Sequence, residues 1–373
     1  MRFLRNTDWL MLGSAILVSL AGLISMYSFG GKSAFAEHQL IWLSLGIILF
    51  FFLSGIDFHF LRRTGVVVAI YAFSVLFLLL LFVIGSKFNG ARGWFNVGAF
   101  AIQPVDIAEL SLILVLAKYF SRRHIEIAHF RHIIVSGAYM FFVFVLLFLQ
   151  PDFGSAVIIA FLWVAVVLIA GIPLRRLALL IGLGAAAAAL LWVFAFAPYQ
   201  KARILTFLHP LADISGAGYN AFQSTVAVGS GGIFGKGIGY GTQSRLQFLP
   251  EHETDFIFAS FAEEWGLIGT LILFSIYGVL LYRLIQNGRQ GATNFEVLFA
   301  LGAAALFLIH AIINIGMNVG LLPVTGVTLP FMSYGGSHIV TSYAMLGIVN
   351  AMRKYGHAGQ ERGRQELAGL SLS

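Results

Sequence analysis

Runs of roughly 20 apolar residues recur along the whole chain, separated by short polar junctions, and that length matches the hydrocarbon core of a bilayer. They lie near residues 9–29, 38–56, 66–85, 104–120, 132–149, 154–171, 177–197, 256–282, 295–319 and 337–352. A backbone in lipid must satisfy its own hydrogen bonds, so each run reads as a spanning helix. The expected fold is an all-α polytopic membrane protein of about ten transmembrane helices. Composition agrees: 59% of residues are hydrophobic and 10% charged, against about 25% charged in a soluble domain. The run Trp9 to Phe29 exceeds the roughly 7–15-residue core of a cleaved signal, although Ala34-Phe35-Ala36 imitates a cleavage site, so it reads as the first span. Residues 1–355 form one membrane domain, and the polar tail 356–373 is expected to be disordered.

The net charge of +7 does not indicate nucleic acid, because the cations cluster in short junctions between apolar runs. Arg2, Arg5, Arg62, Arg63, Lys118, Arg122, Arg123, Arg175, Arg176, Arg283, Arg289, Arg353 and Lys354 fall on one side. Fewer, among them Lys32, Lys87, Arg92, Lys201, Arg203, Lys236 and Arg245, fall on the other, which carries the longer loops. By the positive-inside rule both termini are cytoplasmic. Absence of cysteine removes disulfides, thiolate metal sites and cysteine nucleophiles.

In this orientation every even-numbered span begins on the outer face, where its free N–H groups and dipole favour anions. The polar motifs sit at those starts. The fourth span opens Gln103-Pro104-Val105-Asp106-Ile107-Ala108-Glu109, with two acids three residues apart and so on one face. Either they are a helix-capping acid and a protonated glutamate, or they line a cavity for substrate or a divalent cation, magnesium or manganese. The sixth opens Gln150-Pro151-Asp152-Phe153-Gly154, where Asp152 could simply cap the helix. Thr254 and Asp255 are expected to cap the eighth, placing Asp255 at the outer boundary. The tenth follows an irregular stretch, Leu322 to Ser337, ending Ser333-Tyr334-Gly335-Gly336-Ser337. At membrane depth such a stretch must be buried in protein or line a wet cavity.

The one long connection, residues 198–255, carries a glycine-dense segment from Gly229 to Gly239 around Lys236. It fits neither a P-loop nor a dinucleotide fingerprint, and no organic-cofactor motif occurs elsewhere. Glycines there permit close backbone approach and anion-cradling turns. Recurring apolar residues such as Phe222, Val226, Ile233 and Phe248 mark a loop that packs. His252-Glu253 lacks the second histidine of a zinc-protease helix. Before the fourth span, Arg92 is suited to phosphate and Trp94 either to substrate or to the membrane interface. Within the spans, Glu263, Glu264 and His310 are the ionisable groups, and Asn314 and Asn318 extend the His310 face at helical spacing. Interhelical hydrogen bonding is the favoured reading of that face.

The Gln150-Pro151-Asp152-Phe153-Gly154 turn, the block from Gly218-Tyr219-Asn220 to Gly235-Lys236-Gly237, the block Thr254-Asp255-Phe256-Ile257-Phe258, and Ser333 to Ser337 together resemble the SEDS family. Gly241-Thr242-Gln243 and Asn314-Ile315-Gly316-Met317 are more similar to its RodA type than to FtsW. The resemblance spans about Trp9 to Lys354. It implies a glycosyltransferase that polymerises lipid II into β-1,4 glycan strands outside the membrane, partnered by a class B penicillin-binding protein. The family's essential aspartate falls on Asp255, and its outer-loop tryptophan and arginine on Trp94 and Arg92. Gln103, Asp106, Glu109, Gln150, Asp152, Lys236, Arg245, Thr254 and the run Ser333, Tyr334, Gly335, Gly336 and Ser337 join them as candidate substrate contacts. The resemblance also implies a bacterial inner membrane. The family reads Gln-Pro-Ser-Glu with a lysine three residues on; here Val105, Asp106 and Glu109 stand instead, so an acid–lysine pair has become two acids. A lipid II flippase and a non-catalytic scaffold are the alternative classes, the flippase resting on Glu263, Glu264 and His310.

Overall fold

A computed structural model describes residues 7–28, 34–88, 91–97, 100–122, 130–194, 196, 198–209 and 218–370. Each expected span is a helix. They are α1 Trp9–Ser28, α2 Ala34–Ser54, α3 Thr64–Ile84, α4 Pro104–Ser121, α5 Phe130–Leu149, α6 Phe153–Ile169 and α7 Leu174–Phe194, then, beyond the long connection, α11 Ile257–Arg289, α12 Asn294–Asn318 and α13 Gly336–Leu370. Six are long and apolar enough to cross a bilayer by length and composition; Phe153–Ile169 and Ala178–Phe194 are shorter apolar helices. Helix α12 packs against α4, α6 and α11, while α13 lies along α2 and α11 along α1. Phe50, Phe299, Phe307, Phe331 and Tyr343 are fully buried between them, whereas Phe52, Val83 and Phe194 stand exposed on the perimeter.

Three expectations change. The connection before α4 is a three-stranded antiparallel meander, β1 Ser86–Phe88, β2 Ala91–Val97 and β3 Phe100–Ile102. Among its described residues the long connection contains three helices, α8 Pro198–Leu208, α9 Tyr219–Ser230 and the short α10 Thr242–Arg245. The tail expected to be disordered is helical as far as Leu370.

The glycine-dense loop docks where α11 breaks. Gly266, with φ 65° and ψ −166°, interrupts that helix and leaves main-chain groups without intrahelical partners. The loop supplies them: Lys236 and Gly237 N–H donate to the Glu263 and Glu264 carbonyls at 3.0 Å each. In return, Leu267 and Ile268 N–H donate to the Gly232 and Ile233 carbonyls at 2.9 and 3.2 Å. This exchange is how irregular backbone is tolerated at depth. Gly235 and Gly266 face each other backbone to backbone, and a Cβ on either would collide with the other segment's main chain. Both have positive φ, so only glycine fits.

At the far end of the bundle Asp8 gathers three chain segments. Its carboxylate accepts from Arg283 Nε at 3.0 Å and Nη2 at 2.8 Å and from Arg353 Nη1 at 3.2 Å, and its own N–H donates to Asn350. Burial alone raises its pKa, but the hydrogen bonds and charge of Arg283, with the Met11 N–H, outweigh burial and hold the carboxyl below its ordinary value.

Two outcomes follow from this packing. Gly266→Ala places a Cβ against the Gly235 backbone at a left-handed φ and is expected to cost at least about 2 kcal/mol, read as a lower thermal midpoint in detergent. Because the folded pKa of Asp8 is depressed, its contribution is complete above its unfolded value of about 3.9 and is lost as pH falls through the lower folded value. Thermal midpoints measured between pH 6 and pH 3 should therefore fall more steeply for the native chain than for Asp8→Asn.

Candidate active site

A polar stripe on α12 organises the end of the bundle that carries Asp255. His310, Asn314 and Asn318 are spaced four residues apart and share one face. Asn314 Nδ2 donates to the Asp255 carbonyl at 2.9 Å and the Val327 carbonyl at 2.7 Å. Asn318 Nδ2 donates to the same Asp255 carbonyl at 3.0 Å. His310 Nδ1 reaches the Thr328 carbonyl at 3.4 Å. The interhelical hydrogen bonding expected of this face is present, and its acceptors are the main chain of Asp255 and of the irregular segment 322–335.

That segment closes over Asp255 from the other side. Ser333 Oγ donates to the Thr254 carbonyl at 2.6 Å and accepts from the Leu329 N–H at 2.8 Å. Tyr334 N–H donates to the Glu253 carbonyl at 2.8 Å. A Cβ on Gly326 would stand 3.4 Å from Asp255 Oδ2, and with φ at +76° that position favours glycine. Asp255 is half-buried, its main chain gripped from two elements. The expected capping role is corrected: the N-cap of α11 is Phe256, and no side chain caps it. Thr254 Oγ1 donates instead to Glu251 Oε2 at 3.1 Å.

Asp106 and Glu109 are almost fully buried, at 3% and 2% exposure, and each has its own histidine. His310 Nε2 lies 3.2 Å from Glu109 Oε1, and His338 Nδ1 lies 3.0 Å from Asp106 Oδ1. Ser337 Oγ donates to Asp106 Oδ2 at 2.8 Å and accepts from the Gln103 N–H at 3.1 Å. The two imidazoles lie 5.1 Å apart, centroid to centroid. A carbonyl can only accept, so in its contact with Thr328 the His310 Nδ1 is the donor. Each acid thus has an imidazole at hydrogen-bonding distance where the sequence led us to seek a metal. Among the described residues no group of three or more His, Asp or Glu side chains is placed to hold a metal ion. Magnesium and manganese favour oxygen donors and several waters, which carboxylates already taken by imidazoles do not fit. The sequence reading missed His338; a lone histidine opening a helix has no spacing pattern to betray it.

A cavity of about 460 Å³ adjoins this network between α2, β3, α4 and α13. Its walls are Trp42, Leu45, Ile102, Ile107 and Val340, with Gln103, Ser337 and Thr341 as polar points. Gln39 joins it to the Asp255 side: its Nε2 donates to the Ser333 carbonyl at 2.9 Å, and its Oε1 accepts from the Gly335 N–H at 3.3 Å. A Cβ on Gly336 would enter the Trp42 indole. Tyr334 sits edge-on to Phe35 at 5.0 Å, and burial pushes its phenol above the ordinary range.

The remaining candidates divide. Asp152 caps α6, accepting from the Ser155 N–H at 3.1 Å, and Gln150 Nε2 donates to the Leu78 carbonyl at 2.7 Å. The turn they form seats Gly154 against Thr325 and Val327, where a Cβ would lie 2.6 Å from the Thr325 carbonyl oxygen. The motif thus supports segment 322–335 from below. Lys236, a candidate substrate contact, is instead paired with Glu263 at 2.6 Å and donates to Thr242 Oγ1. The anion cradled by the glycine loop is the chain's own: Glu263 also accepts from the Thr242 and Gln243 N–H groups, and Glu264 from Gly239 N–H and Ser28. Arg245 is exposed on α10, and Nη1 reaches the Gly239 carbonyl at 3.4 Å. Trp94 is half-buried on β2, opposite Ser86. The backbone of Arg92 pairs with Lys87 in the same sheet; its side chain lies outside the described residues.

The FtsW/RodA/SpoVE cell cycle protein family matches residues 2–357. Stage V sporulation protein E of Bacillus subtilis (strain 168) is 35% identical over 351 residues, 93% of this chain and 94% of that protein. Peptidoglycan glycosyltransferase MrdB of Escherichia coli (strain K12) is 36% identical over 286 residues, 77% of each. Among solved structures, a chain of a peptidoglycan synthase complex that coordinates polymerization and crosslinking superposes with TM-score 0.79 at 32% identity, covering 94% of this chain and 98% of its own. The Thermus thermophilus rod shape determining protein RodA superposes with TM-score 0.69 at 30% identity, covering 93% and 96%.

The division between anchoring and contacting cations can be measured. Lys236→Met strands the fully buried Glu263 carboxylate and is expected to destabilise by about 3–5 kcal/mol. Arg245→Gln should lie within about 0.5 kcal/mol of the native chain. Thermal unfolding of both variants in detergent checks the contrast.

Proposed function

The chain belongs to the FtsW/RodA/SpoVE family, the SEDS proteins, and on that premise we propose that it is a peptidoglycan glycosyltransferase polymerising lipid II on the outer membrane face, with both termini cytoplasmic. The single observation that carries the assignment of the reaction centre is the clamp on Asp255. Two asparagines of α12 fix its carbonyl, Ser333 fixes its neighbour, and Gly326 lies beside its carboxylate. A half-buried carboxylate borne on a main chain held this firmly, at the mouth of a spanning helix, is suited to general-base work.

The reaction joins the acceptor's sugar hydroxyl to the anomeric carbon of the donor. As the acceptor oxygen forms its bond, the anomeric carbon–pyrophosphate bond breaks from the opposite face, converting an α linkage into β. Asp255 takes the hydroxyl proton, and lipid pyrophosphate departs with the bonding electrons. The leaving group's charge needs cationic partners. Arg245 is placed on the outer loop for this, Arg92 is the second candidate, and the outward N-terminal ends of α4 and α13 add their dipoles. The 460 Å³ apolar cavity at those ends suits the first isoprene units of the lipid carrier, with Gln103 and Ser337 toward the headgroup. Asp106 and Glu109, tied to His338 and His310, position α4 against α12 and α13 and need no metal for charge balance.

The flippase reading loses its residues. Glu263 and Glu264 hold the glycine loop, and His310 is shared between Glu109 and Thr328. The scaffold reading rested on a missing lysine, whose countercharge the histidines replace. A class B penicillin-binding protein is the crosslinking partner we propose, supported by the likeness to a chain of a synthase complex.

Asp255→Asn should lower polymerisation of lipid II in detergent by about 10²–10⁴-fold, the range of a lost general base, without lowering the thermal midpoint or partner binding. Long glycan strands from that variant at native rate would overturn the base assignment.

A further inference from the structure

A second cavity, of about 120 Å³, opens at the opposite end of α4 from Asp106, between α3, α4 and α5. Its rim carries two cations. Lys118 is 8% exposed; its Nζ donates to the Arg62 carbonyl and lies 5.8 Å from the Phe295 ring centroid. Arg122, one turn further on, is exposed. Among the described residues no acidic side chain pairs with either. Arg62, beside them, has an acid of its own, Glu296 at 2.6 Å, so the charges left over at this rim are Lys118 and Arg122. Helix α3 begins in the same cavity at Thr64, and its N-cap, Arg63, provides no side-chain cap. The positive end of that helix therefore adds to the field of the two side chains.

Behind the cations the wall turns apolar. Val67 and Val115 line the depth of the cavity, with the Tyr139 ring beside them. Val115 precedes Arg122 by two helical turns, roughly 10 Å along the axis. The volume is many times the ~10–15 Å³ that one water requires on such a measure. Uncompensated cations at a membrane rim, over an apolar cleft between spanning helices, form the arrangement that holds a phosphate together with the start of an acyl chain. A free phosphate would leave the valine wall bare, and an uncharged lipid would leave the cations unanswered.

We propose that this cavity binds the phosphate of an anionic glycerophospholipid from the leaflet opposite Asp255, between Lys118 and Arg122. Its occupancy braces α3, α4 and α5 at the far end of the helix that carries Asp106 and Glu109.

The test uses the full chain in phosphatidylcholine nanodiscs titrated with phosphatidylglycerol, read by native mass spectrometry for retained lipid and by thermal midpoint. Phosphatidylglycerol should be retained and should raise the midpoint. Arg122→Gln, a change at an exposed side chain, should weaken retention roughly fivefold, as expected for one cation at a lipid surface. Lys118→Gln should do the same if it folds, and Arg289→Gln, at an exposed cation elsewhere, should change nothing. Equal retention by native protein and Arg122→Gln would overturn the proposal, as would an equal loss with Arg289→Gln. Millimolar inorganic phosphate giving the full midpoint gain without lipid would also overturn it, by reducing the cavity to a free-anion site.

Discussion

Irregular backbone at bilayer depth must find its hydrogen-bond partners inside the protein, because lipid offers none. Two segments of this chain meet that demand, and their solutions shape everything near Asp255. The broken α11 trades main-chain bonds with the glycine loop across Gly266 and Gly235. The segment from Leu322 to Gly335 is held by Asn314, His310 and Ser333. Neither segment is stable as a helix, and neither can be left open. Each is made rigid by side chains whose own burial is tolerable only because they make these bonds. Rigidity suits the general-base role proposed for Asp255, since a carboxylate that wanders by an ångström would lose its reach to an acceptor hydroxyl.

Much of this was legible in the sequence. The ten spans were, because a bilayer imposes a length and an apolarity that few other constraints imitate. The clustering of motifs at one end of the bundle was, because proline and glycine interrupt those runs at alternate ends. The stripe His310, Asn314 and Asn318 was legible as a face, since four-residue spacing on a helix leaves little choice. Its acceptors were not, because nothing in one helix names the loop carbonyls packed against it.

The readings that changed share a physical cause: they depended on pairings between distant segments. Lys236 looked like a free cation beside glycines, and only the fold brings Glu263 within 2.6 Å of it. Helix α11 begins one residue later than the Thr254–Asp255 pair suggested, because the Glu251 carbonyl takes the Phe256 N–H and the chain turns before it coils. The meander before α4 was invisible because strands of three to seven residues leave too short a pattern to separate from a loop.

The two acids of α4 show how a local conflict resolves at the level of packing. Two buried carboxylates three residues apart would repel each other and resist ionisation. Adding one lysine would neutralise one of them; here a histidine from each of two other helices pairs with each acid, and the acids point apart toward α12 and α13. The consequence is mechanical as well as electrostatic. Asp106 ties α4 to the start of α13 through Ser337 and His338, and Glu109 ties it to the α12 stripe through His310. The next residues along that stripe hold the Asp255 carbonyl. A displacement of α4 at the apolar cavity therefore reaches the Asp255 clamp through one continuous set of hydrogen bonds, with α12 as the shared member.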